Sequence, residues 1–101
     1  MDIDARSQIL TGRYEALRLW AAIGRLTKPE FTTGQVVALT GVSSTQCSKE
    51  LSRLKGLGLL TAVSRRGDYT RTESPFWALI DALVSDWETA QAHAVSHQHP
   101  S

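Results

Sequence analysis

A mainly helical chain carrying one small β-hairpin follows from three observations in the sequence. Two helix-start signatures, Thr32-x-x-Gln35 and Ser43-x-x-Gln46, stand on either side of Gly41. The hydrophobic period changes from helical to alternating after Gly58, and Ser74-Pro75 then opens a last, strongly apolar segment. Together they place helices at about 5–26, 33–40, 44–57 and 75–93, and strands at about 60–64 and 69–72. The 101 residues hold one domain with a modest core, read as residues 1–93, followed by a disordered tail over 94–101.

Over 5–26, Leu10, Tyr14, Leu17, Trp20, Ala21 and Gly24 recur at three- and four-residue steps, with Arg6, Arg13, Arg18 and Arg25 elsewhere. Gly12 is a point of kinking or division, and Pro29 ends the helix because Lys28 before it is disfavoured in helical geometry. The next two helices are short and separately capped. In each capping box the hydroxyl accepts from a free backbone N–H and the Gln side chain reaches back to the capping residue. Phe31 and Val42 precede the caps and staple onto Val36 and Cys47. Gly41 supplies the left-handed turn between the helices. Inward positions of the second are Val42, Cys47, Leu51, Leu54 and Gly58; Gly56 and Gly58 close it. Leu60–Ser64 and Tyr69–Thr72 flank the turn Arg65-Arg66-Gly67-Asp68. Ser74 caps the final helix, Pro75 takes its first position, and Phe76, Trp77, Leu79, Ile80, Leu83, Val84 and Trp87 give it a broad apolar face.

The formal net charge is only +1, but its distribution is uneven. Residues 42–72 carry Lys49, Arg53, Lys55, Arg65, Arg66 and Arg71 against Glu50 and Asp68, a local +4. From Glu73 onward there is no Lys or Arg against Glu73, Asp81, Asp86 and Glu88, a local −4. A basic middle that meets phosphate and an acidic C-terminal part turned away from it fit this polarity. No apolar run approaches the roughly 20 residues of a membrane span. The acidic, polar start MDIDARSQ is unlike a signal peptide, and a single cysteine excludes an internal disulfide. These features predict a cytoplasmic protein without a membrane partner.

Helix, helix-turn-helix, hairpin, helix is the order of a winged-helix domain. The string Gly41-Val42-Ser43-Ser44-Thr45-Gln46-Cys47-Ser48-Lys49-Glu50-Leu51-Ser52-Arg53-Leu54, with Gly58-Leu59-Leu60 after it, resembles the core of the ArsR-type and MarR-type bacterial repressors. Tyr69-Thr70-Arg71, then Ser74-Pro75 and a hydrophobic helix, is closer to the ArsR-type ending. The resemblance covers roughly 17–83 and departs from the family at Thr40 and Cys47, where larger aliphatic residues are usual. It implies a homodimeric transcriptional repressor that binds an inverted repeat in double-stranded DNA, and it leaves room for an effector as a further partner.

On the second motif helix, Ser43, Ser44, Thr45, Gln46, Ser48, Lys49, Ser52 and Arg53 are the expected DNA-contacting residues. Hydroxyls at a helix start hold phosphate, Gln reads adenine, and Lys or Arg reads guanine. A passive polar surface would favour acidic residues in the first turn, and none is present. Arg65, Arg66 and Arg71 extend the set to the hairpin. Trp20, Trp77 and Trp87, with Phe76, exceed what a small core needs. The terminal helices are therefore expected to pair across a two-fold axis through Leu10, Tyr14, Phe76, Trp77, Ile80, Leu83, Val84 and Trp87.

Cys47 offers a redox switch, but its spacing to Leu51 and Leu54 makes it a core residue instead. His93 and His97, with His99 nearby, have ligand chemistry at plausible spacing, but the segment is expected to fray and no metal site is assigned. The resembled family's metal sensors carry paired cysteines in the first motif helix or an Asp-x-His element on the last, and this chain has neither. No enzyme constellation and no cofactor motif are found in the sequence. Two rivals to the DNA reading stand: a winged-helix protein–protein module, and a metal- or redox-responsive sensor.

Overall fold

In the computed structural model, Gly12 divides the first expected helix in two. The structure describes residues 2–64 and 67–97, with 91–97 described through their backbone alone. Helix α1 spans Ile3–Thr11 and α2 spans Ala16–Gly24. Gly12 takes φ 75° as the C-cap of α1, a conformation that costs glycine nothing. The break is stitched by hydroxyls. The Ser7 hydroxyl, fully buried, donates to the Arg13 carbonyl at 2.6 Å and accepts from the Leu17 N–H at 3.0 Å. Glu15, the N-cap of α2, makes no side-chain cap bond, so Ser7 satisfies a first-turn donor from another helix. The second helix ends at Gly24, ahead of the Pro29 predicted to stop it.

A short strand absent from the prediction follows, β1 (Glu30–Thr32), and then α3 (Thr33–Thr40) and α4 (Ser44–Gly56). Strands β2 (Leu60–Ala62) and β3 (Asp68–Arg71) are each displaced or trimmed relative to the predicted 60–64 and 69–72. Helix α5 runs over Pro75–His97, past the expected stop near 93. Ala-Val-Ser-His holds no Pro or Gly, so nothing in those residues interrupts the helix. Of the expected disordered tail, 94–97 are therefore helical, and 98–101 lie outside the described residues.

The described residues thus form five helices and a three-stranded antiparallel sheet ordered β1-β3-β2. Phe31 faces Tyr69 in register, and their rings stack at 6.0 Å. The main core joins Leu19 and Ile23 of α2, Phe31, Val36, Val42, Cys47, Leu51, Leu54, Leu60 and Trp77. Phe31 with Val36, and Val42 with Cys47, share this core, as the staples require. A second cluster seats Ile80 and Val84 of α5 against Leu17 and Ala21 of α2. Gly24 lies against α5: a Cβ there would touch the Trp77 ring at 3.4 Å. No helix among the described residues is long and apolar enough to cross a membrane.

Candidate nucleic-acid interface

The α3–α4 pair is positioned by its caps. The Thr32 box is complete: its hydroxyl accepts from Gln35 N–H at 3.1 Å, and its N–H donates to Gln35 Oε1 at 2.8 Å. Gly41 ends α3 at φ 71°. The Thr40 hydroxyl donates to the Val36 carbonyl at 2.7 Å and accepts from Val42 N–H at 3.2 Å, fixing the turn. The Arg18 guanidinium donates to the Thr40 carbonyl, at the negative end of α3. At Ser43 only half the predicted box forms. Its hydroxyl accepts from Gln46 N–H at 3.3 Å, while the Gln46 amide makes no return bond and stays exposed.

Periodicity then sorts α4 into two faces. Cys47, Glu50, Leu51 and Leu54 point inward. Ser44, Thr45, Gln46, Ser48, Lys49, Ser52, Arg53 and Lys55 are all exposed, as is the capping Ser43. Sequence reasoning missed the role of Glu50, which it counted only as a negative charge. Glu50 is 4% exposed, and its Oε2 accepts from Arg13 Nε and from an Arg53 terminal nitrogen, each at 2.5 Å. Its place in the stripe of Cys47, Leu51 and Leu54 was the available signal. A buried carboxylate there needs a cation, and Arg13 comes from the α1–α2 junction to supply one. The outer face of α4 is left with Lys49, Arg53 and Lys55 and, among its described residues, no carboxylate.

The hairpin residues divide. Arg71 does not join the α4 face. Its guanidinium donates to the carbonyls of Ile23 at 2.6 Å and Leu26 at 3.1 Å, closing the end of α2. Arg65 and Arg66 lie outside the described residues. Beside them, Gly67 at φ 82° accepts from Thr33 N–H at 3.0 Å, so the hairpin turn docks on the start of α3. The acidic charge of α5 is partly neutralised within the fold. Arg25 of α2 pairs with Asp81 at 2.6 Å and Glu88 at 3.6 Å. The Asp81 hydrogen bond leads in raising the Arg25 pKa, against an opposing effect of burial.

The residues of the expected dimer face differ in burial within the chain. Trp77, Ile80 and Val84 are buried within the chain. Phe76, Leu83 and Trp87 are half-buried, with the Arg6 guanidinium 4.8 Å above the Trp87 ring. Leu10 and Tyr14 are exposed, and so are Ile9, Leu39 and Leu79, which the prediction did not place on that face. Cys47 is fully buried, as its spacing indicated. Burial pushes its thiol pKa up, the Thr40 hydroxyl opposes that by hydrogen bonding, and Glu15 adds to it. Among the described residues no group of three His, Cys, Asp or Glu gathers to hold a metal. His93 and His97 are described by backbone alone, and His99 lies outside the described residues. No protein-family model matches the chain, and no curated protein is similar to it.

Proposed function

We propose that the chain is a winged-helix transcriptional regulator, with α4 as its recognition helix and the β2–β3 hairpin as its wing. It binds double-stranded DNA sequence-specifically as a homodimer on an inverted repeat and acts as a repressor in the cytoplasm. One observation carries this reading. The only carboxylate of α4 is buried and paired with two arginines, so the outer face presents cations, hydroxyls and an amide alone. A helix face kept free of negative charge suits phosphate and base edges. The order of elements, with an antiparallel hairpin directly after α4, agrees with it.

The test is duplex binding across a salt series. Affinity falls steeply with salt, and Lys49→Ala, Arg53→Ala and Arg65→Ala together flatten the log–log slope by about 0.9 for each phosphate contact removed. Duplex affinity unchanged in the triple variant sinks the assignment. A surface that binds no duplex at low salt gives precedence to the protein–protein module.

A further inference from the structure

We propose that Arg13 and Arg53, held side by side on the Glu50 carboxylate, clamp one backbone phosphate of the duplex beside α4. The clamp rests on the DNA reading and deepens it. It adds Arg13, which lies outside the recognition helix, to the contact surface, and it makes Glu50 the residue that positions both guanidiniums.

Gln46, Glu50 and Arg53 stand at i, i+4 and i+7, so they share one stripe along a flank of α4. The stripe borders the α1–α2 junction, where Arg13, Gln46 and Glu50 line one cleft. The Glu50 Oε2 accepts from Arg13 Nε and Arg53 Nη1, each at 2.5 Å, so these two nitrogens are at most about 5 Å apart. Guanidiniums that close repel each other, and the shared carboxylate offsets that repulsion. Arg13 is fixed at a second point, where its Nη1 donates to the Thr11 carbonyl at 3.2 Å. The Glu50 side chain is buried at 5% exposure, while those of Arg13 and Arg53 are 34% and 47% exposed. Arg13 Nη2, and Arg53 Nε and Nη2, make no hydrogen bond among the described residues.

Geometry and charge select the ligand. Planar guanidinium forks match phosphate oxygens, and a fork already held in place loses less freedom on binding. Around the pair, Arg13, Arg18, Lys49 and Arg53 stand against Asp4, Glu15 and Glu50, a net +1 that admits an anion. The flank position favours backbone over base. With α4 in the groove, a residue from the α1–α2 junction meets the phosphate wall and not the base edges.

Ethylation interference tests this, on a duplex selected from random sequence by the full wild-type chain. Ethylation of one phosphate in each half-site should block binding. Arg13→Gln and Arg53→Gln should each make that same phosphate indifferent and leave the rest of the pattern in place. Glu50→Gln should release it too, although that change removes a negative charge beside the duplex. The double arginine variant should flatten the log–log salt slope by about 0.9 per half-site, the value for one phosphate. A merely structural role weakens binding without changing the pattern. If circular dichroism shows Arg13→Gln unfolded, Arg13→Lys replaces it, keeping a cation for Glu50 but losing the fork, and interference at that phosphate should still fall. An unchanged pattern in any folded variant, release of two different phosphates, or a slope change near about 1.8 per half-site overturns the clamp alone. Wild type that selects and binds no duplex overturns the DNA reading and the clamp with it.

Discussion

Cys47 and Thr40 both bond to Val42 in the turn between α3 and α4. The Thr40 hydroxyl fixes the α3–α4 turn, and the Cys47 thiol donates to the Val42 carbonyl of that turn at 3.6 Å. Burial holds the Cys47 pKa above its ordinary value, so the unfolded thiol ionises first, near about pH 8.5. Its contribution to stability is therefore complete below that pH and is lost as pH rises through the folded pKa. Between pH 8 and 10 the urea midpoint of the wild type should fall more than that of Cys47→Val; parallel falls would contradict the assignment. The substitution itself should cost less than about 1.5 kcal/mol, because it keeps an apolar contact of similar size. Glu50 makes the opposite demand. Arg13→Ala leaves that buried carboxylate with Arg53 alone and should destabilise the fold by about 1–3 kcal/mol. A urea midpoint within error of wild type would mean that Arg53 suffices.

Among the elements, those with their own start and stop chemistry were legible: α3 and α4 agree with the predicted spans to within one residue. Each has a local cap, a local breaker and an apolar stripe, so short-range physics decides its limits. The α1–α2 break was half legible. Gly12 signals a discontinuity, but the bond from Leu17 N–H to Ser7 spans ten positions and leaves no periodic trace. Ser7→Ala should orphan that buried donor, while the Arg13 carbonyl keeps the Thr11 hydroxyl, and cost about 1–3 kcal/mol, with hydrogen exchange at Leu17 rising more than in α4. Uniform acceleration of exchange through the chain would argue against a local role. Strand β1 was illegible for a related reason. At three residues it shows too little alternation, and only its pairing with β3 makes it a strand. The structural role of Arg71 was illegible on the same ground: its charge is visible in sequence, but the carbonyls of Ile23 and Leu26 that it bonds are not. The hairpin turn is tied to α3 through Gly67, where a Cβ would lie 3.0 Å from the Thr33 hydroxyl and φ is positive. Gly67→Ala should therefore cost more than about 1 kcal/mol in thermal or urea unfolding.

For the molecule as a whole, the unresolved quantity in the sequence was how the wide apolar face of α5 divides between an internal and an external partner. A helix apolar over much of its circumference fits a core and a two-fold interface equally well by periodicity. The structure commits Trp77, Ile80 and Val84 to α2 and to the core behind α4. Among the described side chains of α5, the exposed large apolar one is Leu79, at 64%, with half-buried Leu83 one turn further on. Two copies joined there would carry two α4 faces, the arrangement an inverted repeat requires. If the proposed homodimer uses this surface, sedimentation of the wild type shows a dimer at micromolar protein. Leu79→Glu shifts it to monomer while leaving the monomer's fold intact, because the side chain is outside both core clusters. Trp77→Ala is the contrasting variant, losing about 3–5 kcal/mol from the core whatever the assembly state. The same Leu79→Glu protein should still bind a single half-site with the wild-type affinity per site, while losing the gain that two linked half-sites provide. Wild type that sediments as a monomer at every concentration removes the two-fold reading. A dimer unaffected by Leu79→Glu moves the interface to the exposed Ile9, Leu10 and Tyr14 of the N-terminal part, where Leu10→Glu is the next substitution to sediment.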